Sequence, residues 1–208
     1  MTDGNRVDRN RHNSRESRES SESSESHDRR GGATASGANP RRATSLGRDI
    51  LMLIVFIAIS FAVAAIGSIG TAGNVDGWYA TAEKAPWNPP NFLFGPVWTV
   101  LYVLMSVAAW LVWRRRYNVD TRPALVAYVV QLVLNSIWTP VFFGLYPVMG
   151  PAALWLALAI IVLLDIAVLI TMLRFWPIRK ASAVMLIPYW AWVLFATTLN
   201  AALAVLNS

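Results

Sequence analysis

Ile50-Leu51-Met52-Leu53-Ile54-Val55-Phe56-Ile57-Ala58-Ile59-Ser60-Phe61-Ala62-Val63-Ala64-Ala65-Ile66-Gly67-Ser68-Ile69 is a run of 20 residues without a charge or a proline. As a helix rising 1.5 Å per residue it reaches about 30 Å, the thickness of a bilayer's hydrocarbon core. Composition says whether such a run lies in lipid or in a soluble core. Of the 208 residues, Met1 to Asp49 hold 10 of the 18 basic and 8 of the 12 acidic ones, leaving 8 and 4 for the 159 that follow. All 10 Trp, 6 Tyr and 8 Phe also lie beyond Asp49. Twelve charges cannot cover a water-facing surface of that size, which excludes a soluble enzyme and indicates an integral membrane protein. The absence of cysteine excludes thiolate metal sites, disulfides and cysteine catalysis.

Working outward from the first run, a polar segment at about 71–95 carries Asp76, Glu83, Lys84, Pro86, Pro89 and Pro90. Pro96 suits the first turn of a second helix, where a missing N–H costs nothing. That helix is predicted to end near Trp113, before Arg114, Arg115 and Arg116. Three more follow, at about Pro123 to Leu145 with a kink expected at Pro140, Pro151 to Leu173, and Ala181 to Leu206. Prolines are tolerated in such helices when neighbours satisfy the freed carbonyls. The predicted fold is all-α, a polytopic bundle of five transmembrane helices over 50–208.

The N-terminal 49 residues read differently. Glu16, Glu19, Glu22 and Glu25 recur at a three-residue period among Ser and Arg. Such a low-complexity stretch buries nothing and is expected to be disordered and solvated, with serine phosphorylation or weak contact with anionic lipid as alternatives. Its acids argue against an organelle transit peptide, and a secretory signal would reach its apolar run sooner. The net charge of +6 and pI near 10.2 invite a nucleic-acid partner, but the tail's ten bases face eight acids, so none is expected. With five spans, Arg41, Arg42, Arg48, Arg114, Arg115, Arg116, Arg122, Arg174, Arg179 and Lys180 all fall on one side. The positive-inside rule makes that side cytoplasmic, with the N-terminus inside and the C-terminus outside.

Trp110, Trp113, Trp155 and Trp176 lie near predicted helix ends, where indoles anchor at headgroups. Deeper stripes need another account. Gln131, Asn135 and Trp138 stand at i, i+4 and i+7 on one face; Tyr189, Trp192, Ala196 and Asn200 share another; Trp98 and Tyr102 are one turn apart. Buried amides must face the bundle interior. Spacing alone leaves two readings open: interhelical packing, or a pocket for a flat, largely apolar ligand. Asp165 is an acid deep in a span, either a proton- or ion-coupling group or a protonated partner of a neighbouring helix. His12 and His27, the two histidines, lie in the tail, so His-based catalysis and metal sites in the membrane region are not expected.

Three stretches also resemble the TspO/MBR (tryptophan-rich sensory protein/translocator protein) family: Trp78-Tyr79 with Lys84 to Asn91 and Phe94 to Tyr102; Gln131 to Trp138 with Phe142-Phe143-Gly144; and Pro188-Tyr189 through Trp192 to Asn200. The resemblance covers about Ile50 to Asn207. It implies a homodimeric five-helix bundle binding porphyrins, haem-like tetrapyrroles or other hydrophobic ligands in a pocket capped by the first loop. It places the pocket on Tyr79, Trp98, Tyr102, Asn135, Trp138, Trp192 and Ala196. The aromatics would enclose the macrocycle, Asn135 and Gln131 would supply polar contacts, and Ala196 would leave room. Trp78, Trp87 and Lys84 would be further loop contacts, with Tyr79 and Lys84 toward the propionates. No metal and no required cofactor are implied; the partners are a tetrapyrrole, lipid and a second copy, in a bacterial plasma membrane. A sensor, carrier or scavenger is the main expectation, with a light-dependent porphyrin-degrading enzyme and a proton-coupled exporter as rivals. The match departs at Ala85, and at Ala201, where the sterol-recognition pattern of animal members would continue. Asp165 has no place in the family's binding motifs.

Overall fold

Helix α1 (Pro40–Thr71) begins ten residues ahead of the apolar run and carries it to its end. It is followed by the short α2 (Trp78–Thr81), a 3-10 turn at Asn91–Leu93, α3 (Phe94–Trp113), α4 (Arg122–Gly144), the short α5 (Tyr146–Met149), α6 (Pro151–Phe175), α7 (Lys180–Met185) and α8 (Ile187–Leu206). This computed structural model describes residues 40–71 and 73–208, and among them no strand occurs. The tail's expected disorder falls on residues 1–39, outside the described ones. Thr44–Ser208 forms one compact unit. Among the described residues, five stretches are long and apolar enough to cross a membrane: Leu46–Ile69, Asn91–Trp113, Arg122–Gly144, Pro151–Phe175 and Lys180–Leu206. The chain is an all-α integral membrane protein with five spans.

The fifth span departs from the single helix expected over 181–206. Pro188 has no N–H to return to Val184, and its ring crowds that carbonyl. The chain therefore steps out of the helix at Leu186 and resumes at Ile187. Pro140, by contrast, lies inside a helix assigned as continuous from Arg122 to Gly144.

Lipid tails are as apolar as leucine, so these helices associate through fit and hydrogen bonds rather than through escape from water. On α6 the buried residues Ala153, Ala157, Ile161, Leu164, Val168, Thr171 and Phe175 recur at three- and four-residue steps. On α4, Ala124, Tyr128, Gln131, Asn135, Trp138 and Phe142 do the same. Seams with this repeat face one another in left-handed pairs, and α6 packs against α4 on one side and α8 on the other. Helix α1 is joined more sparsely, through polar contacts. Ser60 Oγ meets Tyr128 Oη at 3.1 Å and accepts from Ser106 at 2.9 Å. At the arginine-bearing end, Trp110 Nε1 donates to the Asp49 carbonyl at 2.7 Å and Arg114 pairs with the Asp49 carboxylate at 3.1 Å.

Candidate functional site

A cavity of about 550 Å³ lies between α1, α3, α4 and α8, beneath the loop that joins α1 to α3. Its size is within the roughly 300–1,000 Å³ usual for small-molecule sites. Trp98 and Tyr102 come from α3, Trp138 and Phe142 from α4, and Ala196 and Asn200 from α8. The α4 aromatics are one turn apart and stack, with ring centroids 5.5 Å apart. The α3 pair stands likewise at 5.5 Å. Trp138 is fixed by more than stacking. Its Nε1 donates to Asn200 Oδ1 at 3.2 Å, while Asn200 Nδ2 donates to the Leu154 carbonyl at 3.0 Å. One amide thus ties α4, α8 and α6 together beside the cavity.

Five of the expected ligand residues lie on the wall: Tyr79, Trp98, Tyr102, Trp138 and Ala196. Three do not. Gln131 and Asn135 are buried as their spacing requires, but their amides meet on the phenol of Tyr189. Tyr189 Oη donates to Gln131 Oε1 at 2.7 Å and accepts from Asn135 Nδ2 at 3.1 Å. Tyr102 Oη reaches Asn135 Oδ1 at 3.5 Å. These are interhelical bonds, the packing alternative of the sequence reading. Trp192 stands off the wall against Phe94, with centroids 5.8 Å apart. Asp165 also lies away from it, between α6 and α8, where Oδ2 accepts from Thr197 Oγ1 at 2.8 Å.

The loop is held from several directions. Trp78 Nε1 donates to the Phe143 carbonyl at 2.8 Å, and its ring stacks on Tyr146 at 3.9 Å. Trp87 Nε1 reaches Thr198 Oγ1 at 3.3 Å. Trp78 and Trp87 therefore fasten the loop to the bundle rather than lining the cavity. Tyr79 is buried below them, and its hydroxyl donates to Asn88 Oδ1 at 3.2 Å. Burial pushes the Tyr79 phenol up from its ordinary value, and the Asn88 bond offsets part of the rise. Lys84 Nζ lies 4.8 Å from the Tyr79 ring centroid and bonds the Ala80 carbonyl at 3.3 Å, off the wall.

Phe142, Asn200 and the α1 face of Phe61, Ala64 and Gly67 also line the cavity, beyond the ligand residues expected from the sequence. Asn200 is legible there, since it shares the stripe of Tyr189 and Ala196. The α1 residues carry no signal, because a uniformly apolar run has no distinguishable face.

Five membrane-crossing helices around an aromatic-walled cavity, roofed by a proline-rich loop, define the class: an integral membrane bundle with an internal small-molecule-sized chamber. The chain belongs to the TspO/MBR family, whose model matches residues 56–206. It is 40% identical over 160 residues to the "Tryptophan-rich protein TspO" of Archaeoglobus fulgidus, covering 77% of this chain and 99% of that one. It is 34% identical over 155 residues to the "Tryptophan-rich sensory protein" of Cereibacter sphaeroides, covering 74% and 90%. The human "Translocator protein" is 38% identical over 137 residues, covering 65% and 78%.

Proposed function

We propose that the cavity binds a flat, hydrophobic small molecule of the tetrapyrrole class, porphyrin or haem-like, and that the protein acts as a membrane sensor, carrier or scavenger of it. The observation that supports this reading is the wall itself. Trp98, Tyr102, Trp138 and Phe142 bring four ring systems from two helices to one chamber, while the nearby amides of Asn135 and Asn200 are engaged elsewhere. Rings in such walls gain from stacking on another flat ring, and a few unspent polar atoms suffice to orient it. Names of relatives such as sensory protein and translocator protein agree with a role in sensing or moving a membrane-dissolved molecule. The clustering of arginines at one end supports, on the positive-inside rule, a cytoplasmic side there and a roofed cavity on the opposite, outer side; the membrane proposed is a bacterial plasma membrane. Homodimerisation follows the family resemblance.

The test is titration of protoporphyrin IX into protein in nanodiscs, following tryptophan quenching and the Soret band. Ala196→Phe adds a ring to the wall where a methyl group now stands, and should abolish binding while sparing helical content. Equal binding by parent and variant would move the ligand out of this cavity.

A further inference from the structure

Asp76 carries the one charge on the cavity wall among the described residues. It lies in the turn between α1 and α2, exposed, and no salt bridge engages its carboxylate among the described residues. The loop's cation, Lys84, is turned to the Ala80 carbonyl and the Tyr79 ring and stands off the wall.

Away from this turn the side of the wall built by α1 and α3 loses its polarity. Along α1 it descends from Thr71 to Phe61, ten residues and about 15 Å into the span. The hydroxyls met on the way are already used within their own helices. Thr71 donates to Gly67 O at 2.8 Å, Ser68 to Ala64 O at 2.9 Å, and Thr99 on α3 to Gly95 O at 2.9 Å. Donors committed in this way leave the seam between α1 and α3 effectively apolar. Phe61, Ser68, Gly95 and Thr99, which line this seam, are all exposed. An occupant therefore meets an apolar seam along its body and a carboxylate at its loop-side edge.

We propose that Asp76 makes the cavity rank flat tetrapyrroles by the charge of their polar edge, holding those with a hydrogen-bond-donating or cationic edge more tightly than those with free carboxylates. This rests on reading the cavity as the ligand site. An acid at the mouth of a low-dielectric chamber attracts a cationic edge and repels an anionic one, and no wall cation offsets it.

Three derivatives of one macrocycle separate charge from shape: protoporphyrin IX with two propionates, its neutral dimethyl ester, and a bis-amide ending in two quaternary ammonium groups. Each is titrated into nanodiscs of zwitterionic lipid, which removes the membrane's surface potential. The parent should bind the dication about fivefold or more tightly than the dicarboxylate, the effect of an ion pair at the upper end of the exposed range. Asp76→Asn should bring the ratio near one and Asp76→Lys should reverse it, with ester affinity roughly constant throughout. A ratio unaltered by either substitution overturns the inference. The ester keeps the two readings apart. If Ala196→Phe blocks the ester while the charge ratio ignores Asp76, only the role of Asp76 fails. If the ester does not bind, or binds regardless of Ala196→Phe, the cavity reading fails and takes this inference with it.

Discussion

The side-chain amide of Asn207 pairs with the backbone of Glu83 in both directions, Nδ2 donating to the Glu83 carbonyl at 2.9 Å and Oδ1 accepting from the Glu83 N–H at 3.0 Å. This fastens the loop over the cavity to the far end of the fifth span. It acts beside the Trp87–Thr198 and Trp78–Phe143 bonds, so the loop is tied to the bundle at three separate places.

Asn207→Ala should loosen that loop without unfolding the spans. A net hydrogen bond contributes about 0.5–1.5 kcal/mol, and two exposed ones together about 1 kcal/mol. The expected outcome is roughly fivefold faster hydrogen exchange across residues 78–90, with exchange in the spans unchanged. Unchanged exchange in the loop would mean that the two indole bonds suffice to hold it.

Tyr79 adds a pH dependence at the same place. Its folded-state phenol titrates above the ordinary value of about 10, because burial disfavours the phenolate. A pKa raised on folding contributes stability that is whole below about pH 10 and is lost as pH rises through the folded value. The tyrosinate absorbance difference between parent and Tyr79→Phe should therefore titrate above 10, and the variant should lose less thermal stability in alkali. A difference spectrum centred on about 10 would put Tyr79 in water.

Much of this architecture is legible in the sequence. The spans follow from apolar length, and the amides at 131 and 135 have to point inward because hydrocarbon offers them no partner. What periodicity cannot supply is which interior they meet. The phenol that satisfies both, Tyr189, comes from a helix 54 residues further on. Trp192 misleads for a geometric reason. At 100° per residue it sits about 60° from Tyr189 and about 80° from Asn200, at the edge of their stripe. That edge packs on Phe94, a residue of the wall, and so stands one ring back from the cavity. The break at Leu186 is readable from Pro188, which a count of apolar residues passes over.

The network around Tyr189 should stabilise the bundle and contribute little to ligand affinity. Tyr189→Phe removes the donor to Gln131 and the acceptor for Asn135, leaving two buried amides short of a partner. Interhelical hydrogen bonds in membrane bundles average about 0.6 and reach about 1.7 kcal/mol each. A loss of about 1–3 kcal/mol in reversible detergent unfolding is expected, with porphyrin affinity within about threefold by the same scale of tenfold per 1.4 kcal/mol. An affinity loss beyond that, in a stably folded variant, would give these amides the ligand role expected of them from the sequence.

Asp165 offers a check on the exporter alternative. Asn in its place retains a carbonyl to accept from Thr197, and the residue is off the cavity wall, so Asp165→Asn should leave equilibrium affinity within a few-fold of the parent. Proteoliposomes with a pH gradient supply the contrasting readout. Gradient-driven porphyrin flux in the parent that disappears in the variant would favour proton coupling at Asp165, whereas no flux in the parent would remove the exporter reading.

The two deep tryptophans give the sharpest comparison for the cavity. Trp138 lies on its wall, stacked on Phe142 and oriented by Asn200, whereas Trp192 packs on Phe94 outside it. Stacking of a flat heterocycle on an aromatic side chain is worth roughly 1–3 kcal/mol, measured for nucleobases and taken here as the scale for a porphyrin. Trp138→Ala should then weaken binding about 5- to 150-fold, and Trp138→Phe much less, since a ring remains. Trp192→Ala should lower stability but leave affinity within about threefold, close to that of Trp155→Ala at an exposed position. The measurement is protoporphyrin IX titration on variants matched by circular dichroism. Equal losses at 138 and 192 would extend the ligand from this cavity past Phe94 to Trp192. A loss at 192 alone would shift the site to the Phe94 side.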